Sequence, residues 1–338
     1  MHCAAITHVS VGTPQLWIGF TLFVLAMLAI DLGVFHRKAH AVGVREAFGW
    51  SVFWIALSLV FNGLVWFWFG PEKGKEFLAG YVTEKALSVD NIFVFLVILS
   101  YFSVPDAYRH RVLYYGILGA LVLRAVFILV GASLLATFHW MIYVFGVLLV
   151  ITAWKLLTQQ EAEFQPERSP AFRLFRRFIP SVSEYRGARF VVREGGRWFA
   201  TPLLLVLVTI EGADVMFAID SIPAIFGLTD DPFIVYTSNI FAILGLRALF
   251  FLLAGLLGRI YYLKLGLALV LGFVGVKMLI SEKYVISIGV SLAIITFVLS
   301  ATVLASFVRL RFFPAAADRQ DLDAPAAELK REQPPGQA

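Results

Sequence analysis

Two ten-residue stretches carry the chemistry of this chain: EKALSVDNIF from Glu84 to Phe93, and DVMFAIDSIP from Asp214 to Pro223. Each sets an acid six residues before an aspartate that is followed by Asn or Ser and then Ile. Each lies inside a run apolar enough to cross a membrane. One charge at the centre of a transmembrane helix costs roughly 2.5 to 3.5 kcal/mol even on a lenient insertion scale. Glu84, Asp90, Asp214, Asp220 and Glu211 together would cost on the order of 10 kcal/mol unless paired, hydrated or liganded. Function is the default reading of such residues.

Glu211 and Asp214 are three residues apart and share a helix face. Two close carboxylates repel, so one takes a proton or both share a cation. Asn91, Ser221 and Asn239 add neutral oxygens, and no His or Cys falls in the middle of a span. An all-oxygen set suits Mn²⁺, Ca²⁺ or Mg²⁺ and argues against Zn²⁺ or Cu⁺. The competing structural reading pairs these acids with Lys85, Arg124, Arg247, Lys155 and Lys277 merely to hold helices together. Concentration of the acids in two matched motifs tells against it. Arg124 and Arg247 are then counter-ions that hold the site or move as an ion arrives. Asp31, near the inner end of the first span, is either an access-path ligand or a partner for a neighbouring base. Asn62 reads as interhelical glue.

Six residues turn an ideal helix through about 600°, which leaves the two acids of a motif about 120° from facing the same way. An unbroken helix would point them at different neighbours. Pro223 supplies a break in the second motif, because it removes the partner of the Ile219 carbonyl and crowds that turn. Broken helices at membrane depth occur where they line a cavity or bind an ion. The first motif has Phe93 where the second has Pro223, so a break there is less secure.

The elements that must position these residues are membrane helices. The chain has 338 residues, is 60% apolar and only 15% charged, and has a mean hydropathy of +0.83. A soluble domain carries about 25% charged residues. Runs able to cross about 30 Å of hydrocarbon fall near 16–35, 50–69, 77–101, 111–135, 138–157, 201–227, 233–256, 262–280 and 285–308, which makes nine spans. With residues 1–15 outside the cell, Arg37, Lys38, Arg45, Arg109, Arg111, Arg259, Lys264 and the eight Arg between Arg168 and Arg197 all fall inside. Only Lys73, Lys75 and Lys283 fall outside. This bias follows the positive-inside rule, so the net charge of +5 reflects topology, and nucleic acid is not a partner. A single cysteine, Cys3, rules out a disulfide within the chain and a thiolate cluster. The lack of Lys or Arg in the first fifteen residues argues against a cleaved signal peptide.

The third to fifth spans (77–157) resemble the sixth to eighth (201–280) in order. Glu84-x5-Asp90-Asn91-Ile92 matches Asp214-x5-Asp220-Ser221-Ile222, Arg124-Ala-Val-Phe matches Arg247-Ala-Leu-Phe, and Lys155 matches Lys277. Three spans separate the copies, so they run in opposite directions, as in inverted-repeat transporters whose site lies at the midplane. Two leading helices occupy 16–76 and a final one 281–308. The basic loop 158–200 alternates Phe172, Leu174, Phe175, Phe178 and Ile179 with Arg173, Arg176 and Arg177. It is either an amphipathic helix on the anionic inner leaflet or a solvated loop that fixes topology. The tail 309–338, rich in Ala, Pro and charge, reads as disordered.

At these motifs the chain resembles the TerC family of integral membrane proteins, associated with tellurium resistance and placed near the LysE-type exporters. EKALSVDNIFVF from Glu84, IEGADVMFAIDSIPAIFG from Ile210, paired Arg124 and Arg247, and Lys155 and Lys277 carry the resemblance, which covers roughly 15–310. It implies export of a divalent metal, chiefly Mn²⁺, and a conserved set of Glu84, Asp90, Asn91, Glu211, Asp214 and Asp220. A tellurite oxyanion would not be drawn to a carboxylate-lined site, so that phenotype is indirect.

The expected molecule is therefore an all-α polytopic protein of the bacterial inner membrane with an inverted three-helix repeat and broken helices at the acidic motifs. It carries no cofactor, and a divalent cation is its cargo. Without a GxxxxGK[ST] loop, a secondary mechanism is favoured over a pump. Carboxylates that release metal take up protons, so proton exchange follows. The rival reading is a non-transporting membrane partner, or a metal-supply or assembly module, that docks membrane or secretion proteins through the 158–200 loop. An intramembrane protease would need a GxGD aspartate pair, which this chain lacks, so no enzyme is expected.

Overall fold

A computed structural model describes residues 10–35, 44–138, 140–158, 179–182, 184–194, 196–254 and 262–312. The Phe172–Phe178 segment, the tail beyond Phe312 and Cys3 lie outside the described residues, as do the side chains of Asp31, Asp90 and Arg247.

Ten helices are described: α1 (Pro14–Phe35), α2 (Val44–Phe69), α3 (Pro71–Tyr101), α4 (Asp106–Thr137), α5 (Met141–Thr158), α6 (Pro202–Phe226), α7 (Pro232–Ile243), α8 (Leu246–Ala254), α9 (Leu263–Ile280) and α10 (Ile288–Phe312). Four of them, at Pro14, Pro71, Pro202 and Pro232, begin on proline as the first helical residue, where the missing N–H costs nothing and φ is already set. Gly70, at φ +88, precedes Pro71, Thr201 precedes Pro202, and Asp231 precedes Pro232 and accepts from Phe233 N at 3.0 Å.

Among the described residues, six helices are long and apolar enough to cross a bilayer: Arg45–Phe69, Tyr108–Thr137, Met141–Thr158, Pro202–Phe226, Leu263–Ile280 and Ile288–Arg309. Pro14–Ala29 and Pro232–Ile243 are shorter apolar helices. The nine spans counted from hydropathy are thus not all recovered as separate long apolar helices. The 31-residue α3 is interrupted by charge, and the 233–256 run divides into α7 and α8. Large side chains on the outer faces, such as Phe67 and Phe297, are 83% and 73% exposed. A surface of that kind belongs in lipid.

The positions of the helix breaks correct the sequence expectation. α3 runs without interruption through Glu84–Phe93. α6 continues through Pro223 for one more turn, ending where Gly227 N bonds to the Pro223 carbonyl at 2.9 Å. Proline costs one hydrogen bond there, while Ser221 to Phe226 are all buried, and the packing holds the turn. The real break lies at Leu244–Gly245. Gly245 has φ +85, which L side chains rarely adopt, and a Cβ on it would lie 2.7 Å from Trp54 Cβ.

α3 lies at the centre, against α2, α6, α7 and α10. α4 packs on α6 and α7, and α5 packs along α9. The α5–α9 crossing is close because both helices are bare where they meet: a Cβ on Gly275 would lie 2.9 Å from the Gly146 carbonyl oxygen. Phe20, Phe61, Phe77 and Phe241 form the aromatic core between α1, α2, α3 and α7, with Phe61 and Phe241 centroids 4.7 Å apart.

The described end of the basic loop is a hairpin that the sequence reading did not anticipate. β1 (Val191–Glu194) pairs antiparallel with β2 (Arg197–Ala200). Phe190 stacks edge-on to Tyr115, Arg111 lies over the Phe190 ring, and Tyr185 donates to the Phe102 carbonyl at 2.5 Å. These contacts fix the hairpin to the adjoining ends of α3 and α4. Partial burial pushes the Tyr185 phenol above its ordinary pKa.

Candidate functional site

The fully buried Arg124 of α4 organises the site. Its Nη1 pairs closely with Glu84 Oε1 of α3 and donates to Asn239 Oδ1 of α7 at 2.7 Å. Ser221 Oγ of α6 lies 3.4 Å from the same nitrogen, and Nη2 reaches Asp214 Oδ1 of α6 at 3.5 Å. Ser88, one turn beyond Glu84, donates to Glu84 Oε1 at 3.4 Å. One guanidinium thus ties four helices together. An unpaired buried charge costs several kcal/mol, and only a partner set of this kind offsets it.

The set is incomplete in an informative way. Among the described residues, Glu84 Oε2, Asp214 Oδ2, Glu211 Oε2, Asn239 Nδ2 and Arg124 Nε are buried without hydrogen-bond partners. Buried polar atoms are nearly always satisfied, so a cluster of orphans requires an explanation, and an unseen ion or water is the ordinary one. Three of the five are carboxylate oxygens. Glu211 lies on the Asp214 face of α6, and its carboxyl rests against α4 at Gly119, where a Cβ would collide with Oε1, Cδ and Oε2.

The structure divides the residues that the sequence grouped. Glu84, Asp214, Ser221, Asn239 and Arg124 come together, with Glu211 beside them. Asn91 is buried on α3. Asp220 faces another way, accepting from Thr152 Oγ1 of α5 at 2.9 Å, with Lys155 as a charged neighbour. Lys277 of α9 looks towards Asp230 and Glu76. There Thr229 Oγ1 donates to Glu76 Oε2 at 2.6 Å, and Lys73 bonds to Glu76 at 2.8 Å. Asp231 accepts from Ser10 Oγ and Val11 N at 2.8 and 2.9 Å, which stitches the start of the described chain to α7. Lys155 and Lys277 therefore do not reach Arg124. Asn62 is buried, and among the described residues its Oδ1 accepts no hydrogen bond.

Among the described residues no three His, Cys, Asp or Glu side chains converge on one metal-sized space. Arg124 stands between Glu84 and Asp214, and Asp220 points to α5. Two residues shape the site in ways the sequence did not indicate: Lys85, read there only as a partner for the acids, and Gly119, not singled out at all. Lys85 donates to the Ala242 carbonyl at 3.1 Å, beside the Gly245 break. Gly119 makes room for Glu211. Nothing local in the sequence marked either role.

The profile of the family described as "Integral membrane protein TerC family" matches residues 69–312. An uncharacterized membrane protein of Myxococcus xanthus, STKORF319, is 54% identical over 319 residues, covering 94% of this chain and 99% of that protein. Proteins named Alx and described as candidate membrane-bound redox modulators are also similar. That of Salmonella typhi is 48% identical over 302 residues, covering 87% of this chain and 94% of that protein. That of Escherichia coli K12 is 47% identical over 309 residues, covering 87% and 96%. No solved structure matches the chain.

Proposed function

The chain belongs to the TerC family of integral membrane proteins, and from that premise we propose that it exports a divalent cation, Mn²⁺ first, across the bacterial inner membrane. The observation that carries the reading is the buried Glu84–Arg124–Asp214 cluster with its surplus of unpaired carboxylate oxygens. Glu84, Asp214 and Glu211 together with Arg124 leave two negative charges when all are ionised, which one divalent cation neutralises. Glu211 Oε2 and Asp214 Oδ2, on one face of α6, are the oxygens free to take it. Hard oxygen donors of this kind suit Mn²⁺, Mg²⁺ or Ca²⁺. Arg124 holds Glu84 and competes for Asp214 until the cation replaces it there. Asp90 completes the set by its place in the first motif, and Asp220 with Thr152 forms a separate station on the path.

An inverted repeat of 77–157 and 201–280, within nine spans and with the N-terminus outside, fits the packing. α3 lies on α7 as α4 lies on α6, and α5 lies against α9. Like helices of the two copies meet, and unlike pairs come in matched twos, as a pseudo-twofold axis requires. The copies differ at one point. The second is broken at Leu244–Gly245, whereas α4 passes the equivalent position beside Arg124 without a break. Rocking of one repeat against the other would expose the site alternately to each side, with protons replacing the released metal on the carboxylates.

The deciding experiment is Mn²⁺ flux into proteoliposomes holding the purified full chain, with Mg²⁺ and Ca²⁺ as competitors. Wild-type flux that disappears in Asp214→Asn and Glu211→Gln supports the reading. Unchanged flux in those variants overturns the site. No flux from correctly inserted wild type overturns transport and favours a partner module acting through 158–200.

A further inference from the structure

We propose that Gly119 is a positioning residue for the cation ligand Glu211; this rests on the transport reading above. The Glu211 carboxyl lies flat against α4 where that helix has no side chain. A Cβ on Gly119 would collide with all three carboxyl atoms, deeper than any real contact. Glu211 Oε2 is buried and has no partner among the described residues. No bond among the described residues fixes that oxygen, and the notch sets where the carboxyl can lie. The notch keeps the group on the Asp214 side of α6, where the two acids can share one cation.

The neighbouring bare position separates this role from ordinary helix packing. Gly116, one turn earlier on α4, also faces α6, but its Cβ would meet the apolar Ile210 Cγ2 at 3.3 Å. The same helix pair therefore offers one notch for a carboxylate and one for a methyl group. Only the first bears on ion binding.

The test is Mn²⁺ binding to the full chain in detergent, measured by calorimetry, with thermal melting followed on the same samples. Loss of a group that orients a ligand weakens metal affinity about 10- to 100-fold, and that loss is expected for Gly119→Ala. Gly116→Ala should bind Mn²⁺ like wild type. Glu211→Asp withdraws the carboxyl by one methylene, so adding Gly119→Ala to it should cost no more than about threefold. Wild-type affinity in Gly119→Ala overturns the inference, and so does an equal penalty in the presence and absence of Glu211→Asp, which marks plain overpacking. If Gly119→Ala lowers the yield of folded protein, recovery on adding Glu211→Asp supports the seat and failure to recover overturns it. Wild type that binds no Mn²⁺ overturns the transport reading together with the inference, whereas wild-type binding with an unaffected Gly119→Ala overturns the inference alone.

Discussion

The Lys85 ammonium donates to the Ala242 carbonyl at 3.1 Å, across the point where α7 stops and α8 has yet to begin. In a continuous helix that carbonyl would accept from the residue four places on, Leu246. Here Leu246 opens a new helix after Gly245, and a side chain from α3 takes the role. Lys85→Met keeps the length of the arm and removes the donor. The unsatisfied carbonyl should cost about 1–3 kcal/mol, read as a lowered melting temperature of the detergent-solubilised protein. Full wild-type stability in Lys85→Met would show that the break does not depend on the contact.

Gly245→Ala should destabilise through two effects at one atom. A left-handed backbone costs an L residue roughly 1–2 kcal/mol, and the new methyl would press on Trp54. Trp54→Ala in the same chain relieves the second cost only, so melting of the two single variants and the double variant separates the terms.

Arg124→Met leaves Glu84 and Asp214 facing each other without a base. Breaking a buried pair in this way costs about 3–5 kcal/mol. Glu84→Gln added to Arg124→Met should recover a large share of the loss, because it removes one of the stranded charges. The same cycle run with Asp220→Asn should be additive within about 0.5 kcal/mol, since Asp220 bonds to Thr152 and not to Arg124. Strong coupling of Arg124 to Asp220 would refute the division of the acids into two groups.

Thr152→Val removes the hydroxyl that Asp220 accepts from while keeping the shape of the side chain. It should reduce Mn²⁺ flux severalfold and leave equilibrium Mn²⁺ binding unchanged, because Glu211 and Asp214 supply the proposed seat. A comparable loss of binding would place Asp220 in that seat after all.

Mn²⁺ binding should weaken as pH falls. Carboxylate ligands must be deprotonated to hold a metal, so each proton displaced on binding lowers the apparent affinity about tenfold per pH unit below the pKa of that group. Calorimetry in buffers of different ionisation enthalpy counts those protons directly. Proton release of zero would remove exchange from the proposed mechanism.

The acids and their number were legible in the sequence because charge inside an apolar run is costly and therefore visible. Their divergence was not the expectation: the helical twist between Asp214 and Asp220 sends them to different neighbours on an unbroken helix, but a break at Pro223 was expected and both acids were grouped in one set. α6 is unbroken there, and the two acids do turn to Arg124 and to Thr152. The place of the break was not legible. Pro223 is the stronger local signal, but its cost falls in a final turn that packing sustains. Leu244-Gly245-Leu246 reads as plain apolar helix, and its break depends on Trp54 and Lys85, which are distant in sequence. Gly119 was hidden for the same reason, since its importance lies in what another helix places against it.

Gly146 and Gly275 face each other across α5 and α9 among apolar neighbours: a Cβ on Gly275 would lie 2.9 Å from the Gly146 carbonyl oxygen, and one on Gly146 would lie 3.0 Å from Leu279 and 3.1 Å from the Gly275 carbonyl oxygen. What these two positions set is a distance between two backbones, and a methyl group at Gly275 would have to push the helices apart before it touched anything that carries charge.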